Sequence, residues 1–233
     1  MSLSQHTVRS YDEQLHRLQN LVLQAGGEVR KLVLAARESL RTRSESAVAD
    51  AKAADRIINE LDEQIEEAAI VILALQNPMA VDLRFVVSVF KVSGMLERAG
   101  DLAKNTVKRA ANMSADTPPE VIRKMEQMAD TIVEMLDLAL EAFVQRDTGK
   151  ATEVWRRDDE IDDLYREVFA AIQEDMVQHP AKAEAATHAI FAAKNLERLA
   201  DYTTNIVKTI YYVDSGKRAD KAYLKALATG SAT

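Results

Sequence analysis

An all-α fold, built as two tandem three-helix bundles related by pseudo-two-fold symmetry, is predicted by three features of this 233-residue chain. The composition favours helix. Ala, Leu, Glu, Lys, Arg and Met dominate, with only seven glycines and four prolines, and these residues give up little side-chain freedom in a helix. Apolar residues recur at three- and four-residue steps, and the two halves of the chain repeat one another.

The prolines separate the elements, because proline breaks a helix interior but is tolerated at a helix start. Helices are predicted over 6–43, 46–76, 79–113, 119–146, 148–178 and 181–213. The first contains Gly26-Gly27, read as a bend. The second carries Ala54, Ile57, Ile58, Leu61, Ile65, Ala68, Ala69, Ile72 and Leu73 on one stripe, which must be buried against neighbours. Pro78 divides the second helix from the third, Pro118-Pro119 divide the halves, and Pro180 divides the last two helices. With no strands to cover such stripes, a bundle is the expected solution.

The duplication is visible in two places. Asp55 to Leu61 matches Asp158 to Leu164 at an offset of about 103, and Leu96-Glu97-Arg98 through Asn105 matches Leu196-Glu197-Arg198 through Asn205 at about 100. A shortening near the Pro78 and Pro180 connections reconciles the two. The expected division is a first repeat over 6–115, a second over 118–216 and a polar tail over 217–233. In the second copy Trp155 stands where the first has Lys52. Packing against its own bundle is the main reading of that tryptophan, and contact with a partner the second.

Composition also excludes. Hydrophobic residues at 47% and charged residues at 29% fit a folded soluble chain. The absence of cysteine removes disulfides and thiolate metal sites. The first ten residues lack the apolar stretch of a secretory signal, and the longest apolar run, Ala68 to Leu75, is too short to span a bilayer. A net charge of −7 argues against nucleic acid as a partner. A cytoplasmic protein is expected.

The repeated segments LERAGDLAKN and LERLADYTTNI, with Pro78-Met-Ala-Val-Asp82-Leu-Arg84-Phe85 leading into the first, resemble the PhoU family over roughly residues 7–216. The resemblance implies paired three-helix bundles and a homodimer. It implies a regulator that restrains the phosphate-starvation response by acting between the Pst phosphate transporter, through its ATPase subunit PstB, and the sensor histidine kinase PhoR. Membranes would be reached only through those partners. Some family members carry multinuclear metal clusters on E/D-x-x-x-D motifs.

The candidate metal ligands are Glu97 and Asp101 in the first half, Glu197 and Asp201 in the second, with Asp55 and Asn59, and Asp158 and Asp162, on the preceding helices. Residues four apart share one helix face, about 5–6 Å apart at Cβ, and oxygen-rich sets suit Mg²⁺, Ca²⁺, Mn²⁺ or iron. The competing reading is a solvated or salt-bridged face, since Arg98 and Arg198 each lie three residues before an aspartate. Family members often have Glu where this chain has Lys108 and Lys208, so these lysines are expected to weaken or replace metal sites.

Asp82 and Arg84 are read as helix-start capping and salt-bridging residues or as a family surface feature. Glu13 and His16 have the Glu-x-x-His spacing of di-iron bundles, but no second copy exists. His6, His179 and His188 are scattered and read as surface or cap residues. The tail's Lys217, Arg218, Lys221 and Lys225 read as a mobile end or a contact for an acidic partner. No P-loop, glycine fingerprint or G-x-S-x-G elbow occurs, so an enzyme is not expected. The alternatives to a signalling adaptor are a carboxylate-rich metal-binding protein, acting in storage or as an oxidase, and an accessory subunit of another phosphate transporter.

Overall fold

Among the described residues six long helices form where the apolar spacing places them. They are α1 (Leu3–Thr42), α2 (Ser46–Gln76), α3 (Ala80–Ala110), α4 (Pro119–Gln145), α5 (Thr148–Gln178) and α6 (Ala183–Ser215), with a 3-10 turn at Pro180–Lys182. The structure, a computed structural model, describes residues 3–145 and 147–216. The polar tail expected at 217–233, with its lysines, lies outside the described residues, as does the side chain of His6.

Each half is an up-down-up bundle. Gln76 donates to Gln14 across α1 and α2 (3.1 Å), and Lys104 to Asp55 across α2 and α3 (2.7 Å), which sets both pairs antiparallel. Lys124–Glu167 (3.0 Å) and the Arg157–Glu134 pair do the same for α4 and α5. Inside these frames α2 buries Ala51, Asp55, Ile58, Leu61, Ile65, Ala69 and Ile72 at three- and four-residue steps. Ile57, expected on that stripe, is 45% exposed, so the buried face is narrower than the apolar pattern.

The halves join through their first and third helices. Arg30–Asp137 (3.0 Å) and Arg37–Asp130 (2.7 Å) pair α1 antiparallel to α4. Arg84 near the start of α3 donates to the Val213 carbonyl near the end of α6 (2.9 Å), while Arg109 at the other end of α3 meets His188 (3.3 Å) and lies over the Phe191 ring. These reciprocal antiparallel pairs carry the pseudo-two-fold relation. Phe85 stacks on Phe143 at 5.5 Å, and the buried residues of both halves form one cluster.

Gly26, read as a bend, also has a packing role. Helix α1 is continuous through it, and a Cβ at Gly26 would lie 2.4 Å from Leu140 Cδ1. The missing side chain is what lets α1 and α4 approach so closely. Among the described residues helices α2 and α5 touch only their own bundle, so the α2–α3 and α5–α6 seams sit on outer faces, away from the joint between halves.

Candidate functional site

On the α2–α3 seam, Lys104 binds both Asp55 (2.7 Å) and Asp101 (2.6 Å), drawing together two of the predicted ligands from different helices. Asp55 is buried and its second oxygen, Oδ1, is enclosed without a hydrogen-bond partner. Burial alone would lower the Lys104 pKa, but the hydrogen bonds to Asp101 and Asp55 outweigh it and hold the ammonium above the ordinary lysine value. Glu97 lies one turn before Asp101. Burial pushes its carboxyl pKa up, Arg98 pulls it down, and Asp101, Asp62 and Asp55 push it up again, leaving it raised. Arg98 reaches both Glu97 (3.3 Å) and Asp101 (3.5 Å). Asn59 is exposed on the outer side of α2.

Two residues of this seam escaped the sequence reading. Lys104 looks like an ordinary partner three residues after Asp101, and only the packing of α2 on α3 brings Asp55 to it. Asp62, two turns after Asp55, accepts a hydrogen bond from the buried Ser93 hydroxyl. The seven-residue spacing from Asp55 to Asp62 was the available signal.

The second seam keeps the acidic positions but neutralises them differently. Lys194 sits 2.7 Å from both oxygens of Glu197 and lies over the Tyr165 ring at 5.1 Å. Burial would lower the Lys194 pKa, and the hydrogen bond and charge of Glu197 raise it above the usual value. Tyr165 occupies the place of Asp62, and Thr204 that of Lys104. Asp158 is buried, Asp162 half-buried and Asp201 exposed. Lys208 donates to Asn205 (2.7 Å) and lies over the Trp155 ring at 5.0 Å. Trp155 itself is only 6% exposed, packed in its own bundle. The neutralising lysines are therefore Lys104 and Lys194, not the expected Lys108 and Lys208.

Among the described residues no three His, Cys, Asp or Glu side chains gather closely enough to hold a metal ion. Glu13 and His16 are both exposed on α1. His179 caps the end of α5 and pairs with Asp175 (3.0 Å). Asp82 lies in the first turn of α3, whose N-cap residue, Met79, makes no side-chain capping bond. Burial and the Asp82 carboxylate together push the Tyr11 hydroxyl up to about 12. Arg84, expected in a local salt bridge, instead reaches the carbonyl of Val213 in the other half.

The PhoU domain model matches the chain twice, over residues 22–110 and 125–210. A Caulobacter vibrioides protein named phosphate-specific transport system accessory protein PhoU homolog is 36% identical, the match covering 92% of this chain and 94% of that protein. Its namesake from Rhizobium meliloti is 35% identical, covering 91% and 90%. The crystal structure of PhoU from Pseudomonas aeruginosa superposes with a TM-score of 0.83 at 27% identity, covering 89% of this chain and 100% of that one. That of the phosphate transport system regulatory protein PhoU from Streptococcus pneumoniae superposes with a TM-score of 0.81, also at 27% identity, covering 90% and 99%. Two matched repeats, relatives aligned along nearly their whole length and the same six-helix arrangement lead to one conclusion: the chain belongs to the PhoU family.

Proposed function

We propose that this chain is a phosphate-transport accessory and regulatory protein that works by docking rather than catalysis. It lies between a PstB-type transporter ATPase and a PhoR-type histidine kinase, in the cytoplasm and as a homodimer, and restrains the phosphate-starvation response when phosphate is plentiful. The observation that carries this reading is kinship along nine-tenths of the chain with proteins named for accessory service to a phosphate-specific transport system. Exposed apolar side chains around the α2–α3 turn support docking: Ile70 (56%), Leu75 (69%), Met79 (81%) and Leu83 (41%) face solvent, and grouped apolar exposure marks protein contacts. Among the described residues no helix is long and apolar enough to cross a membrane, and this reading leaves the membrane to the partners.

The test is a pull-down from phosphate-replete cells with the tagged full chain and with a Leu75→Asp/Met79→Asp variant. The ATPase and the kinase are expected with the first and lost with the second. Recovery of neither partner with the unmodified chain overturns the adaptor, and recovery of the ATPase of a different phosphate transporter replaces its partner.

A second reading concerns the acidic seams. Ammonium groups answer part of their charge: Lys104 stands between Asp55 and Asp101, and Lys194 against Glu197. The metal reading of Glu97, Asp101, Asp55 and Asn59, and of Glu197, Asp201, Asp158 and Asp162, retains one favourable observation, the enclosed and unpartnered Asp55 Oδ1. Elemental analysis of protein purified without chelator decides between them, and full stable occupancy would restore the metal reading.

A further inference from the structure

Three exposed cations, Lys52 and Arg56 on α2 and Lys108 on α3, share one groove of about 540 Å³ with the Lys104–Asp55 pair and Asn105. The register explains the meeting. With α2 and α3 antiparallel and Asp55 bonded to Lys104, Lys52 lies one turn before Asp55 and Lys108 one turn after Lys104, at the same end of the seam. The charge of Lys104 is answered by Asp55 and Asp101. Lys52, Arg56 and Lys108 make no ion pair among the described residues. Both helices also place like charges four residues apart, at Lys52 and Arg56 and at Lys104 and Lys108, an arrangement that disfavours the helix unless an anion answers it. The chain as a whole carries −7, so this concentration runs against its overall charge.

The second copy of the same place shows what the first could have been. Trp155 replaces Lys52, Asp159 replaces Arg56 and Thr204 replaces Lys104. The remaining lysine, Lys208, is covered by the Trp155 ring and tied to Asn205. One copy gathers Lys52, Arg56 and Lys108 around its groove, and the other keeps only the last of these positions as a cation, with Lys208 against the Trp155 ring.

We propose that the groove formed by Lys52, Arg56 and Lys108 binds a phosphate group, either the free inorganic ion or one carried on a small molecule. Ammonium groups from two helices surround a compact, multiply charged tetrahedral ion, and the Arg56 guanidinium can hold two of its oxygens at once. The Asn105 amide offers a further donor. On the inner wall Lys104 holds Asp55 through Oδ2, and Asp55 Oδ1 is enclosed away from solvent. The proposal goes beyond the docking reading and is tested on purified protein without any partner.

The experiment titrates the full-length chain with inorganic phosphate, ATP and, as a control, sulfate at constant ionic strength, followed by calorimetry and by amide NMR. Saturable binding of phosphate or ATP is expected, with shifts centred on Asn105 and binding at least about tenfold weaker in Lys52→Gln/Lys108→Gln. Lys208→Gln should bind as the unmodified protein does. Both variants alter surface-reaching side chains, so melting temperatures check that the fold is retained. Tighter binding of inorganic phosphate assigns the free ion, and tighter binding of ATP assigns a carried group. Absence of saturation by either ligand up to about 10 mM overturns the proposal. So does binding that the double variant leaves unchanged.

Discussion

On the α2–α3 seam a single lysine from the third helix bridges Asp55 and Asp101, whereas on the α5–α6 seam its counterpart, Thr204, donates to the Ala200 and Asp201 carbonyls of its own helix. There the balancing charge comes instead from Lys194, toward the other end of the acidic ridge. The packing positions behave otherwise. Ile58, Leu61 and Leu96 recur as Ile161, Leu164 and Leu196, all buried. The difference teaches what duplication constrains. A core position must keep its volume because its neighbours close around it. A neutralising charge need only lie near, so it can change residue and helix turn while the ridge stays.

The sharpest way to break the comparison is at the place shared by Trp155 and Lys52. Trp155→Ala should cost about 3–5 kcal/mol in urea unfolding, because it empties a buried aromatic site. Lys52→Ala, at the equivalent but exposed place, should leave the midpoint unmoved. Equal costs would mean that the two copies are built alike there. Next in size is the bridge: Lys104→Met strands the buried Asp55 carboxylate and should cost about 1–3 kcal/mol, while Thr204→Val should cost less than about 1. If removal of Lys104 frees a cation site, the same variant, purified without chelator, should carry more metal than the unmodified chain purified alongside it.

The smallest effect compares Glu97 with Glu197. The Glu97 pKa is raised, so the folded state binds its proton more tightly than the unfolded one. Its contribution to stability is therefore complete below the ordinary value of 4.5 and is lost as pH rises through the folded value. Glu97→Gln should accordingly stabilise the protein at pH 7, with the advantage vanishing in acid. Glu197→Gln should destabilise it at pH 7 by about 0.5–1.5 kcal/mol through the weakened Lys194 pair. Thermal melts from pH 4 to 8 test the opposite signs.

The helices and the duplication were legible because they rest on local periodicity and on repeated words such as Leu96-Glu97-Arg98. The seam chemistry was only half legible. Lys52 with Arg56, and Lys104 with Lys108, are visible as pairs within each helix, but their meeting depends on the antiparallel register of α2 and α3, which no single-helix pattern contains. Attention to Lys108 and Lys208 followed from the family pattern, while Lys104 was hidden by its resemblance to a routine surface pair. The packing role of Gly26 was hidden for a related reason. A glycine inside a helix looks like a bend until the facing Leu140 is in view.

The Arg84 bond to the Val213 carbonyl has a bearing on synthesis. A first-half side chain supplies the hydrogen bond that the closing turn of the last helix needs, and Gly216 leaves that turn in a left-handed conformation beside the same guanidinium. A ribosome delivers the first half well before that turn emerges, so the receiving groove can be folded and waiting when the final residues of α6 arrive.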